Sequence, residues 1–296
     1  MPTTSPQSAF SLDARDKYSL WRDKKLHNFS KSISELVVEY KDPLAISSNE
    51  KQKTKEIISK FNMCIYQTDQ KHNPDKAIPQ SIGEQFGLYC LDKHLCADDD
   101  GIAPLTVGKR DHHQDYIPYT DRPINWHTDG YYNSSSEKIN TVILHCVNAA
   151  QEGGANQLMD HELMYILLRE QNPDFIRALM SEDVMVIPEN IENDVLIRDK
   201  RSGPVFSIDM RTQRLHMRYT ARTRSIQWKQ NAIVKQATQA ITELLQTSPY
   251  VIEHRLEPGQ GLLSRNVLHT RRAFVDGNSA TTKRLIFRAR YYDSLA

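Results

Sequence analysis

The chain has 296 residues, 38 of them Lys or Arg and 37 Asp or Glu, for a formal net charge of +1. That length can bury a sizeable core in one large or two small domains. So even a charge balance gives no reason to expect nucleic acid or an anionic membrane as partner.

Residues 1–26 are polar and charged and read as a loose N-terminal arm without the apolar core of a secretory signal. No apolar run approaches membrane-spanning length, so the expectation is a cytoplasmic protein. From Phe29 to Tyr40, apolar residues at Ile33, Leu36, Val37 and Tyr40 follow helical spacing, and Asp42-Pro43 ends the run. Ser48-Asn49-Glu50 can cap a helix running to about Phe61, and Met63 to Gln67 reads as a strand. Pro79 to Cys96 reads as a further helix, and Asp98-Asp99-Asp100-Gly101 as a solvated acidic turn without the full calcium-loop pattern. A His/Asp cluster over residues 110–115 sits among polar residues and reads as a loop.

Strands are expected over 139–147, 157–160, 184–187, 205–210, 214–219, 251–255, 262–265 and 284–292. Helices are expected over 160–171, ended by Pro173, and over 227–246, where Ile233, Ala237, Ile241, Leu244 and Leu245 share a face. Cys64, Cys90, Cys96 and Cys146 lack CxxC spacing and read as free thiols in a reducing compartment. His145, His216 and His254 lie in strand-like runs and read as structural histidines.

Asn125-Trp126-His127-Thr128-Asp129-Gly130 is the stretch with chemistry in it. On an extended strand, residues i and i+2 point to one side, so the His127 imidazole and the Asp129 carboxylate face a common point. His269 would complete a set of two histidines and one carboxylate, which leaves one face of an octahedral metal open and suits non-haem Fe(II). Zinc is the rival metal, because it accepts the same donors.

Around this set lie Glu152-Gly153-Gly154-Ala155-Asn156, Pro258-Gly259-Gln260-Gly261, His269-Thr270-Arg271-Arg272 and Lys283-Arg284-Leu285-Ile286-Phe287-Arg288-Ala289-Arg290. Together they resemble the Fe(II)/2-oxoglutarate dioxygenases of the taurine dioxygenase superfamily, which includes the γ-butyrobetaine hydroxylases. The resemblance runs from about Tyr116 to Tyr292. It implies a mainly β chain with helical insertions (α+β) around a double-stranded β-helix, or jelly-roll, core, with residues 1–296 forming one dioxygenase domain.

It also implies Fe(II) held by His127, Asp129 and His269, with 2-oxoglutarate and O2 as cosubstrates. Arg284 would grip the distal carboxylate of 2-oxoglutarate, because a guanidinium offers a planar fork to a carboxylate. Asn156 stands where the superfamily usually has Thr or Ser on that cosubstrate, and its amide can donate the same bond. Arg288 would meet an anionic group of the substrate, or else the metal-proximal carboxylate of 2-oxoglutarate, while Arg290 reads as structural. Trp126, Tyr131 and Tyr132 flank the metal motif, as substrate-facing aromatics or as core.

The expected reaction is hydroxylation of an unactivated C–H in a small molecule, anionic or amino-acid-like, with release of succinate and CO2. The presence of Asp129 favours this over halogenation. The alternatives are a quaternary-ammonium hydroxylase with an aromatic cage, a metal-dependent hydrolase using the same ligands, and a binding protein that kept the fold. Partners would be the small-molecule substrate and, left open, a second copy of the chain.

Overall fold

A computed structural model of the chain describes residues 8–92, 98, 100–108, 116–192, 194–224 and 226–295. The His/Asp cluster at 110–115 and Cys96 lie outside the described residues. In chain order, helix α1 (Arg15–His27) precedes strand β1 (Val37–Glu39), α2 (Ser48–Phe61), β2 (Met63–Gln67), α3 (Ala77–Gln85) and β3 (Ile102–Leu105). Then come β4 (Ile124–His127), β5 (Thr141–Asn148), β6 (Glu152–Gly153), β7 (Asn156–Met159), α4 (His161–Gln171) and α5 (Pro173–Leu179). Short strands follow: β8 (Met185–Ile187), β9 (Asn190–Glu192), β10 (Val195–Arg198), β11 (Arg201–Gly203), β12 (Phe206–Ile208), β13 (Leu215–Met217) and β14 (Gln227–Trp228). The chain closes with α6 (Ala232–Thr247), β15 (Ile252–His254), β16 (Gln260–Ser264), β17 (Leu268–Arg271), β18 (Phe274–Val275) and β19 (Leu285–Tyr291).

This is a mixed α/β architecture. Six strands form one sheet in the order β1-β2-β16-β5-β19-β3, and four form another in the order β15-β7-β17-β4. Side-chain alternation explains how the smaller sheet is used. Leu158 and Ile252 join the apolar cluster built on the large sheet, whereas Met159 and Leu268 join a second cluster with α4, α5 and α6. His269, next to Leu268, therefore faces the large sheet. On β19 the alternation is just as clear. Phe287, Ala289 and Tyr291 sit in the first apolar cluster, while Arg288 and Arg290 are buried on the other face.

The helices begin where their side chains satisfy free backbone N–H groups. Ser47 and Glu50 form a reciprocal capping box on α2, Asp160 caps α4, and Asn231 caps α6. Three expectations need correction. Residues 29–40 are not a helix but a short 3-10 turn (Ile33–Leu36) leading into β1, because Val37 and Val38 pair in parallel with Ile65 and Tyr66. The helix expected to reach Cys96 stops at Gln85, since Gly87 takes a φ of +79° and Leu91 bridges to Tyr291.

The third correction concerns the loose arm. Residues 15–27 are helical and docked. Lys25 is buried between Asp160 (2.5 Å) and Glu162 (2.6 Å), and the Arg169 guanidinium lies 3.6 Å above the Tyr18 ring. Phe10 is buried as well, and its carbonyl accepts from the Tyr165 hydroxyl at 2.7 Å. In the acidic turn, Asp98 and Asp100 pair with Lys76 at 2.7 and 2.8 Å. Among the described residues no helix is long and apolar enough to cross a membrane. Cys64 and Cys146 are buried free thiols and Cys90 an exposed one.

Candidate metal centre

β4 and β17 run antiparallel and place His127 directly across from His269. Their rings lie 4.2 Å apart between centroids. Asp129 follows two residues beyond His127. One ligand atom from each of these three side chains lies within 4.8 Å of the other two, close enough to share one ion.

Each imidazole is fixed in the same way. His127 Nδ1 donates to the carbonyl of Asn125 and His269 Nδ1 to that of Val267, both at 2.9 Å. A carbonyl can only accept, so Nδ1 carries the proton and Nε2 keeps its lone pair for a metal. Burial, and then the nearby His269, push the His127 pKa down to about 3, so this ring is neutral at pH 7. Burial alone would raise the Asp129 pKa, but Arg288, then His269, Arg290 and His127, hold it well below the usual carboxylate range.

One Asp129 oxygen accepts from Arg288 Nη1 at 3.1 Å. The other, Oδ2, is buried with no hydrogen-bond partner among the described residues. A buried carboxylate oxygen left unpaired is costly, and a divalent cation between the two imidazoles would satisfy it. Two imidazole Nε2 donors and an ionised carboxylate fit Fe(II), and the donor set excludes a soft, thiolate-bound metal.

Asn266 is the positioning residue that sequence reading missed. Its side chain accepts from the Asp129 N–H at 2.7 Å and donates to the carbonyls of Asp129 (2.9 Å) and Ile139 (2.8 Å). Its own φ is +48°, a conformation Asn tolerates better than most residues. Gly130 completes the turn with a φ of +67°, and a Cβ there would lie 2.4 Å from the Ile139 side chain.

The arginines divide into separate neighbourhoods. Arg284 is buried beside Gly154, Asn156 and Ile286, with Nη1 unpartnered among the described residues and its pKa lowered to about 10 by burial. The Asn156 amide donates to the Thr270 carbonyl at 2.6 Å, which leaves its second N–H for another acceptor. Arg290 is tied to Asp92 and to the Tyr132 hydroxyl.

Arg271, also missed, holds the wall of the site. Its guanidinium donates to the carbonyls of Pro118 (3.0 Å), Ile117 (3.4 Å), Thr120 (2.6 Å) and Arg122 (2.5 Å). One arginine two residues from His269 thus pins the 117–122 segment, and burial lowers its pKa to about 9.

A cavity of about 310 Å³ opens onto His127 and Asp129. Its wall includes Tyr131, Tyr132, Thr220 and three arginines: Arg198, Arg222 and Arg288. Trp126 is not part of that wall, contrary to expectation. Strand alternation turns it away from His127, and it packs against the apolar cluster of the helical side. His145 meets the Tyr66 hydroxyl (3.1 Å), His216 donates to the Ile139 carbonyl (3.2 Å), and His254 meets Gln260 (3.0 Å), so each has a partner away from the metal set.

A 2-His-1-carboxylate set beside a buried arginine defines a class of non-haem iron oxygenases. The chain belongs to the family described as "Taurine catabolism dioxygenase TauD, TfdA family", whose model matches residues 24–290. A curated relative, uridine-5'-phosphate dioxygenase from Amycolatopsis sp, is 32% identical over 175 residues, covering 57% of this chain and 61% of that protein. The match therefore spans less than two thirds of the relative's length.

Among solved structures, asparagine oxygenase in complex with Fe(II), 2S,3S-3-hydroxyasparagine and succinate superposes with a TM-score of 0.55 at 12% identity, over 98% of this chain and 86% of that one. The non-haem iron oxygenase OrfP in complex with Fe, succinate and (3S)-hydroxy-L-Arg gives a TM-score of 0.57 at 12% identity, over 83% and 80%. These likenesses concern the fold.

Proposed function

We propose that the chain is an Fe(II)- and 2-oxoglutarate-dependent dioxygenase that hydroxylates a C–H bond of a small anionic molecule, releasing succinate and CO2. The observation that carries this is the convergence of His127, Asp129 and His269 at a cavity wall, with an unpaired carboxylate oxygen and two imidazoles locked with Nε2 free. Family membership and neighbours solved with iron and succinate support it.

His127, Asp129 and His269 would hold the iron. Bound there with 2-oxoglutarate, iron supplies the oxidative activation of O2. The protein's own part is binding and orientation. Arg284 and Asn156 would receive the distal carboxylate of 2-oxoglutarate, since Arg284 is a buried cation whose Nη1 has no hydrogen-bond partner among the described residues, beside an Asn156 N–H that Thr270 does not use. Arg288 keeps Asp129 ionised and turned towards the site, and has further N–H groups for an anionic substrate. Arg271 fixes the 117–122 segment, part of which forms the cavity wall.

An anionic substrate is favoured over a quaternary ammonium because three guanidiniums share the cavity wall with Tyr116, Tyr119, Tyr131 and Tyr132, and a fixed positive charge would be repelled there. The uridine-5'-phosphate of the relative's name, and the hydroxylated amino acids of the neighbours' titles, fit the same preference. We further read the two main sheets as the double-stranded β-helix core of one dioxygenase domain, and the free thiols as fitting a reducing, cytoplasmic compartment.

The test is succinate formation from 2-oxoglutarate in the presence of Fe(II) and O2. Turnover that needs all three, and that disappears in His127→Ala with the fold intact, is expected. Unchanged turnover in that variant, or none in the wild type with any anionic substrate, would overturn the reading.

A further inference from the structure

Two of the cavity's arginines have no task in the metal or cosubstrate sites. Arg198 ends the β9–β10 hairpin, is half-buried, and donates to the Pro188 carbonyl at 2.9 Å, while its Nε is buried with no hydrogen-bond partner among the described residues. Arg222 is exposed at the cavity mouth. Neither has a carboxylate partner among the described residues; the neighbouring Asp199 is engaged by Arg201 at 3.7 Å. Asp129, the carboxylate on the cavity wall, is already committed to Arg288 and the metal position.

Arg222 is also held in a defined place. The 219–221 segment is laced to the metal strand: Thr128 N–H donates to the Tyr219 carbonyl, Ala221 N–H to that of Trp126, and Thr220 bridges His127. Thr220 faces the cavity, so Arg222, two residues on, faces it too. Tyr131 and Tyr132 line the same cavity as both guanidiniums. Tyr131 and Tyr132 stand edge to face at 5.1 Å, and Arg198 lies 5.7 Å from the Tyr132 ring.

We propose, on the oxygenase reading above, that Arg198 and Arg222 form a phosphate-binding position at the cavity mouth and that the substrate is a phosphomonoester. A carboxylate carries one charge and is satisfied by one guanidinium fork. A phosphomonoester brings a charge of about −1.5 to −2 and three acceptor oxygens, which suits two forks arriving from different elements. Arg288, neutralised by Asp129, is left for the part of the substrate near the reacting carbon.

The test is anaerobic calorimetric titration of Fe(II)- and 2-oxoglutarate-loaded protein with uridine 5'-phosphate and ribose 5-phosphate, each beside its dephosphorylated form. At least one phosphate ester is expected to bind about 100-fold tighter than its parent. Arg222→Met and Arg198→Met should each remove about tenfold of that preference, and Arg198→Lys should restore part of it. Failure of both esters to bind, equal binding of ester and parent, or variants that keep the full preference would overturn the proposal. The visible absorption band of the ferrous 2-oxoglutarate complex, read in the same samples, separates the failures. Its presence without ester binding sinks the phosphate position alone, and its absence sinks the oxygenase reading.

Discussion

Replacing Asn266 by Ala removes three hydrogen bonds at once and leaves the three metal-ligand side chains in place. The Asp129 N–H and carbonyl lose their partner inside a buried turn, and the Ile139 carbonyl keeps only His216. Each buried polar group left unpaired costs about 1–3 kcal/mol, and holding Ala at the positive φ of this position adds roughly 1 kcal/mol. Partial relaxation and water entry reduce the sum, so a loss of roughly 3–5 kcal/mol of folding stability is expected. The same change frees the backbone that aims Asp129, and loss of such a supporting partner lowers metal affinity by about 10–100-fold. Urea unfolding gives the first quantity, and Mn(II) titration of the still-folded variant gives the second. A variant with wild-type unfolding midpoint and wild-type Mn(II) affinity would refute the role given to Asn266.

Three further outcomes follow from the same geometry. Arg284→Ala should raise the 2-oxoglutarate concentration needed for half-maximal turnover by at least about 100-fold, because a buried carboxylate loses a charge-assisted pair; steady-state kinetics with an unaltered requirement would remove Arg284 from the site. Arg288→Ala should impair use of the prime substrate more than of 2-oxoglutarate, and the reverse pattern would move Arg288 to the cosubstrate. Lys25→Met should lower stability by about 3–5 kcal/mol at neutral pH, since it strands two carboxylates.

The Lys25 cluster also sets a pH dependence. Burial opposes both charged forms there, but Asp160 and Glu162 raise the Lys25 pKa, and Lys25 lowers that of Glu162. The lowered Glu162 pKa contributes stability above the ordinary glutamate range, lost as pH falls through and below it. The raised Lys25 pKa contributes stability that is lost only at strongly alkaline pH. Unfolding midpoints measured from pH 7 down to 3 should therefore fall in the wild type and fall less steeply in Lys25→Met. Parallel curves would contradict this.

Much of the fold was legible because local signals agreed with tertiary needs. Met63 to Gln67 is a strand as read, and the capping box at Ser47 and Glu50 begins α2 within one residue of expectation. The ligand pair was read as two positions of one strand, but β4 ends at His127 and Asp129 sits in the turn beyond it, held by Asn266; within β4 the two-residue period turns Trp126 away from the cavity. What could not be read depends on partners far along the chain. Residues 15–27 look like a polar arm until Asp160 and Glu162 are brought to Lys25.

Val37 and Val38 satisfy a helical pattern until β2 supplies a parallel neighbour. Asn266 lies outside the motifs and Arg271 stands in one without a role, because their work is done on backbone 137 and 153 residues away. Burial of Arg284 just before β19, and of Arg288 and Arg290 on it, likewise reverses the usual expectation for an alternating charged face; Asp129 faces Arg288 and Asp92 faces Arg290.

The central claim is that His127, Asp129 and His269 hold one ferrous ion to which 2-oxoglutarate binds. Anaerobic titration of the protein with Fe(II) in the presence of 2-oxoglutarate, followed by visible absorption, measures this directly. One equivalent of iron should develop the charge-transfer band in the wild type, and none should develop in a folded His269→Ala variant. A band of equal intensity in that variant, or no band in the wild type, would contradict the account.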